Sequence, residues 1–164
     1  MENLKLPLRY AFYAALTGII GLYLTTFTEP RSLAASAVGI VTKMIIVFLI
    51  YYGITDYFRK TGTEINFGTI FKTGMYITLM AAFIYGAFVF VFYEYFAGEY
   101  KEILINESIK RMQERGQLSG EQLQRSIETT RNFFSYFAFV GAVLDMLIVG
   151  TVTSILTALW RKEK

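Results

Sequence analysis

Four long apolar stretches dominate this sequence and restrict the folds that are open to it. They lie at about residues 8–27, 33–57, 69–96 and 132–160. Each has the roughly 20 residues that an α-helix needs to cross a bilayer. Because lipid offers no hydrogen-bond partners, a crossing chain must satisfy its backbone groups internally, as helices do. The sequence therefore predicts an all-α integral membrane four-helix bundle, with residues 1–164 forming a single membrane domain.

The composition points the same way. Hydrophobic residues make up 54% of the 164 positions, more than a soluble domain of this size can bury, because small folds are mostly exterior. The first stretch is longer than the apolar core of a usual secretory signal and has no small-x-small cleavage site directly after it. We interpret it as a retained first span, with a cleaved signal as the alternative.

One sizeable polar segment, residues 98–131, separates the third and fourth spans. Apolar residues at helical spacing predict two helices here, the first running from about Glu99 to Arg115 and ending at Gly116. Ser119 and Gln122 have the spacing of a capping box for the second. The segment is thus an extramembrane helical hairpin, either a solvated helical face or a partner-docking surface. The pattern leaves open whether its second helix is continuous with the fourth span.

The orientation follows from the cations near the span ends. One side carries eight in short segments, namely Lys5, Arg9, Arg59, Lys60, Lys72, Arg161, Lys162 and Lys164. The other carries seven over a longer segment, namely Arg31, Lys101, Lys110, Arg111, Arg115, Arg125 and Arg131. The positive-inside tendency then predicts both termini in the cytoplasm and the hairpin outside. Asp56 and Glu94 lie near span ends and are expected to be interface residues.

Two ionisable residues, Lys43 and Asp145, lie deep inside the second and fourth spans. A lone charge at the centre of a membrane helix costs about 2.5–3.5 kcal/mol on insertion scales. Both spans enter from the same side, and the two charges lie about 15 and 20 Å below that boundary. We expect them to form an interhelical ion pair. Its role is either a latch that sets the register of the helices or a gate or relay for a proton or ion.

The faces of the two spans support this pairing. Lys43 shares a face with Ser36 and Gly39, and Asp145 shares one with Ala138, Gly141 and Ala142. Small residues allow helix backbones to approach closely in lipid. These five are therefore predicted helix-contact residues. Further small pairs at four-residue spacing are expected to pack the bundle or to mark a homodimer face: Ala14/Gly18, Ala35/Gly39, Ala82/Gly86 and Gly150/Ser154.

Signs of catalysis are scarce. The chain has no cysteine and no histidine, which excludes thiolate and imidazole chemistry. The sequence contains no nucleophile elbow, P-loop or dinucleotide fingerprint and no dense basic stripe for nucleic acid. We therefore expect a protein that is not an enzyme, with no catalytic residues, metal or cofactor, and with the lipid bilayer, a protein partner or a second copy as its contacts.

The run from Gly62 to Gly86 carries an I-x-F-G-x-x-F-K-x-G pattern and then an apolar span. It resembles the domain of unknown function 4199 family of small four-span bacterial membrane proteins, which have a charged helical segment between spans three and four. The resemblance extends from about Leu8 to Lys164. It implies a multi-pass protein of a bacterial inner membrane, and it implies no activity and no functional residues.

The pattern also has a physical interpretation. Phe67 and Phe71 are one turn apart and can insert into the interface, while Lys72 can extend its ammonium to the headgroups. Gly68 and Gly74 would permit close backbone approach. These residues form either an interfacial start to span three or a lipid or ligand site.

The sequence thus favours a structural or accessory membrane protein that binds a partner through its outer hairpin. The alternative is a small transporter or channel subunit that uses Lys43 and Asp145 on an internal path. Four spans leave little room for such a path, and no inverted repeat or broken-helix pair is evident.

Overall fold

The computed structural model describes residues 2–30, 32–62, 64–114 and 120–162. Five α-helices account for most of them: α1 (Glu2–Thr25), α2 (Leu33–Thr61), α3 (Phe67–Val91), α4 (Gly98–Glu114) and α5 (Glu121–Lys162). A π-helical turn, Phe92–Phe96, continues α3. The described part of the chain contains no strand, so the all-α prediction is confirmed.

Among the described residues, four segments are long and apolar enough to cross a membrane: Lys5–Thr25, Leu33–Thr61, Phe67–Phe96 and Gln124–Arg161. Between 11% and 39% of the most apolar window of each is buried inside the protein. Most of their apolar surface therefore faces outward, as in helices whose surroundings are lipid. This arrangement is compatible with a multi-pass membrane protein.

Local capping chemistry sets the ends of these helices. The Ser32 hydroxyl accepts a hydrogen bond from the Ala35 amide at the start of α2. Gly62 ends α2 with φ at 62°, a left-handed conformation that glycine adopts without strain. At α3, the Asn66 side chain accepts from the Thr69 amide and Thr69 accepts from the Asn66 amide, which completes a capping box. The short connection between α2 and α3 makes them antiparallel neighbours.

The closest helix packing joins α3 to α5. A Cβ atom at Gly150 would lie 2.7 Å from Thr78 Cβ, one at Gly74 would lie 2.7 Å from Ser154 Cβ, and one at Gly86 would lie 2.6 Å from Val143 Cγ2. Along these contacts the residue numbers of α3 rise while those of α5 fall, so the two helices are antiparallel. Small residues at one face of each helix thus produce a close contact.

Helices α1 and α2 pack against this pair. Apolar side chains of α1, α2, α3 and α5 form the main buried cluster, with Ile50, Ile54, Ile70 and Ile77 fully buried. A second cluster around Phe92 and Tyr93 joins the π turn to α4 and α5. We call the end that carries α4 the hairpin end, and the end where α1 begins and α5 ends the terminal end.

The hairpin consists of α4 and the first part of α5. Helix α5 runs unbroken from Glu121 to Lys162, so the second hairpin helix and the fourth span are one continuous helix. Helix α4 spans Gly98–Glu114 within the described residues. The predicted caps at Gly116 and Ser119 lie outside the described residues.

Candidate functional site

Lys43 of α2 and Asp145 of α5 meet between the helices. Lys43 Nζ lies 2.7 Å from Asp145 Oδ1, and the ammonium donates a hydrogen bond to that oxygen. The side chains remain 50% and 53% exposed. The pair therefore borders open space rather than lying in a sealed core.

The helical geometry accounts for this pairing. Helices α2 and α5 run in the same direction, and Thr55 contacts Arg161, residues 106 positions apart. Lys43 and Asp145 are only 102 positions apart, so Asp145 lies about one turn, roughly 5.4 Å, nearer the hairpin end. Side chains in a helix lean toward its N-terminus. The long Lys43 side chain thus spans this offset.

The predicted small-residue contact between α2 and α5 is wrong at most of its positions. A Cβ atom at Gly39 or Gly141 would meet nothing within 4 Å, and Ser36 is exposed. Ala138 and Ala142 pack instead against the apolar cluster around the π turn. Gly39 and Gly141 therefore bring no other helix into close contact.

A small cavity adjoins the ion pair on its inner side. It has a volume of about 150 Å³ and lies among α1, α2, α3 and α5. Polar groups at its wall come from Thr25, Thr42 and Tyr85 as well as from Lys43 and Asp145. A cavity of this size and polarity is able to hold several water molecules. Gly39 also lines this cavity, which explains why a Cβ atom added there would meet nothing within 4 Å.

A polar network closes the terminal end of the bundle. Asp56 is only 9% exposed and accepts hydrogen bonds from Arg59 at 2.7 Å, Lys60 at 2.8 Å and the Tyr10 hydroxyl at 3.3 Å. Arg161 donates to Thr55 Oγ1 at 3.0 Å. These bonds join α1, α2 and α5. Asp56 is thus a buried junction between helices and not only an interface residue.

A second network lies at the hairpin end, beside the π turn. The Ser135 hydroxyl donates to Glu94 Oε2 at 2.7 Å, and Lys101 donates to Ser135 at 3.3 Å. Arg131 of α5 pairs with Glu102 of α4 at 3.2 Å. Ile105 of α4 is fully buried. Charge pairs and apolar burial together hold α4 against the part of α5 around Arg131 and Ser135.

The residues of the I-x-F-G-x-x-F-K-x-G pattern at the start of α3 do not share one site. The rings of Phe67 and Phe71 stack with their centroids 6.1 Å apart, and Lys72 is exposed. Gly74 lies against Ser154, as close backbone approach requires. Gly68 does not: an added Cβ atom there would meet only its neighbour Asn66, at 3.4 Å. The prediction of close approach is wrong for Gly68 because it lies on the open side of the first turn.

Of the predicted small pairs, three pack within the bundle. Ala14, Ala82 and Ser154 are fully buried, and the glycine partners of all three lie against other helices. Ala35/Gly39 does not pack in this way. The sequence did not single out Tyr85 or Ser135, and it gave Lys101 only as one of the hairpin cations. A serine and a lysine on different helices form no sequence pattern that would reveal their contact.

No group of three metal-binding side chains occurs among the residues that the structure describes. The fold and its polar sites define a helical protein with four segments able to cross a membrane and one polar helix beside them. The chain belongs to the family described as "Protein of unknown function (DUF4199)", whose family model matches residues 9–162. Neither a curated protein nor a solved structure matches the chain.

Proposed function

We propose that this chain is a multi-pass protein of a bacterial inner membrane, with both termini cytoplasmic, that acts without catalysis as an accessory subunit. In this proposal it binds a protein partner through α4 on the opposite side of the membrane. The distribution of Lys and Arg near the span ends supports the orientation. The resemblance to small bacterial membrane proteins supports the location.

The docking of α4 on α5 is the observation that carries the proposal. Ile105 buries one face of α4, and the Glu94–Ser135–Lys101 network with the Arg131–Glu102 pair holds it in place. The opposite face remains exposed and mixes apolar, amide and charged groups, namely Ile103, Asn106, Lys110 and Gln113. A surface that is already ordered loses less conformational entropy on binding than a flexible one.

Photo-crosslinking in intact cells tests this surface. A photoreactive residue at Asn106 or Lys110 is expected to form one adduct of reproducible mass, whereas one at Phe83 of α3, which is 64% exposed, is expected to form none with protein. The adduct should disappear in an Ile103→Glu background. An adduct of twice the chain mass would instead indicate a homo-oligomer, and equal adducts at all three positions would contradict a specific partner.

A small transporter or channel subunit is the second candidate. It is favoured by the half-exposed Lys43–Asp145 pair and by the cavity of about 150 Å³ beside it, whose mainly apolar wall carries a few polar groups. In sealed liposomes with an entrapped pH dye, this function requires the protein to dissipate a proton gradient and Asp145→Asn to abolish that effect. The accessory function predicts the same rate as liposomes without protein.

A further inference from the structure

A lateral groove lies between α2 and α5 in the terminal half of the bundle. We call it the α2/α5 groove; it has a volume of about 1040 Å³ and opens toward the surroundings of the bundle. Its walls are almost entirely apolar and include Ile40, Met44, Val47, Phe48, Ile148, Val152 and Leu156. The groove adjoins the small cavity on the inner side of the ion pair, and Lys43 and Val149 line both.

The length of the groove matches one leaflet of a bilayer. Its wall on α2 extends from residue 40 to residue 51, and its wall on α5 from residue 148 to residue 160. At 1.5 Å per residue these distances are about 16 and 18 Å. Half of a hydrocarbon core of about 30 Å is about 15 Å. A single extended acyl chain that enters from the terminal end would therefore run the length of the groove and stop near the bilayer midplane.

The two ends of the groove differ in chemistry. At the terminal end the rings of Tyr51 and Trp160 lie 6.0 Å apart, and such aromatic pairs are typical of the headgroup level. At the other end the lining reaches Lys43, whose ammonium is bound by Asp145. The groove therefore has an interfacial mouth and a deep end where its charges are already paired.

A cation lies across the mouth. Arg161 extends from α5 to Thr55 of α2, with Nη2 3.0 Å from Oγ1. Within the described residues no carboxylate pairs with Arg161, whereas Asp56 binds both Arg59 and Lys60. A guanidinium has five N–H donors, so several remain after the bond to Thr55. Arginine binds phosphate oxygens well because its planar fork matches their geometry.

We propose that the α2/α5 groove binds one acyl chain of an anionic phospholipid from the leaflet at the terminal end, with the lipid phosphate at Arg161. The apolar lining and the length of the groove fit the acyl chain, and the cation at its mouth fits the anionic headgroup. A zwitterionic lipid shares the chain but loses net attraction to the cation. The proposal holds whether the protein is an accessory subunit or a transporter, since it concerns a different surface.

The single tryptophan of the chain, at the mouth of the groove, makes the test direct. The full-length protein is reconstituted into bilayers that mix phosphatidylcholine with phosphatidylglycerol, with bromine on the acyl chains of one lipid or the other. Brominated phosphatidylglycerol is expected to quench Trp160 at lower mole fraction than brominated phosphatidylcholine. One cation near a membrane surface contributes about 1 kcal/mol, which corresponds to about fivefold selectivity.

Two pairs of variants separate the headgroup from the chain. Arg161→Gln should remove the selectivity, while Lys72→Gln, an exposed cation at the same end outside the groove, should retain it. Val152→Phe or Ile148→Phe should reduce quenching by both lipids, while Leu79→Phe on the exposed face of α3 should not. Equal quenching by the two lipids, or selectivity that survives Arg161→Gln, would overturn the proposal. Weak quenching by both lipids in the unmodified chain would also overturn it, and would indicate a second copy over the groove.

Discussion

Lys43 and Asp145 show how two charges are accommodated within long apolar helices, where each alone would be unfavourable. Their ammonium and carboxylate groups are 2.7 Å apart, yet each side chain is about half exposed. Surroundings of lipid would not screen the pair as water does, so the attraction between the charges is strong. The same surroundings make a single remaining charge costly.

We therefore expect strong coupling between these two residues. Lys43→Met and Asp145→Leu should each reduce the free energy of unfolding in a bilayer or bicelle by about 1–3 kcal/mol, because each leaves one charge unpaired. The double substitution should lose less than the sum of the two. Reversible unfolding of all four proteins measures the coupling, and strictly additive losses would show that the pair contributes nothing.

Glycines provide the second residue-scale prediction. Gly150→Ala places a methyl group against Thr78 and should destabilise the protein by about 1–3 kcal/mol, because neither helix can move without disturbing the core. Gly141→Ala, nine positions earlier on the same helix, meets open space. It should leave stability unchanged or raise it by up to about 1 kcal/mol through helix propensity. Thermal unfolding in detergent compares the two, and equal effects would contradict the packing of α3 on α5.

At the level of the helices, the sequence predicted the elements better than their contacts. Apolar length defines a membrane helix, so the four long helices were predictable from the sequence alone. The meeting of Lys43 and Asp145 also followed, because charges that deep have few available partners. The identity of the touching faces did not follow. Small residues occur on several faces, and only packing selects Gly74, Gly86 and Gly150 over Gly39 and Gly141.

The cavity and the groove could not be predicted for a related reason. Both are spaces between helices, and their size depends on interhelical distances that no single helix encodes. The continuity of α5 was open in the sequence because a helix that leaves the membrane needs no break where it does so. Its 42 residues form one continuous helix that joins the long apolar part of the fourth span to the docking site of α4.

The attachment of α4 is an element-scale prediction. Ile105→Ala should release α4 from α5, because it removes a fully buried side chain worth about 2–5 kcal/mol. Limited proteolysis should then cleave within residues 99–114 many times faster, while the rest of the chain stays intact. Ile103→Ala, two positions away and 50% exposed, is the matched control. If both variants are cleaved alike, Ile105 does not anchor α4.

On the scale of the whole molecule, four helices that cross a membrane would divide the connections between its two sides. The loops at the terminal end and the start of α1 would then lie on one side, and the α1–α2 connection and α4 on the other. The exposed apolar surface between them, which includes Phe83 and Ile148, would then lie in lipid. The accessory role, the transport role and the lipid site all depend on this division.

The most direct test of this division between two sides introduces single cysteines, because the sequence contains none. Single cysteines at Lys5 and Glu64 should be labelled from one side of the membrane by an impermeant maleimide, and those at Glu29 and Gln113 only from the other. Permeabilised cells should label all four and so serve as the control. We predict the cytoplasmic side for Lys5 and Glu64. Labelling of all four from the same side in intact cells would contradict the four-span account.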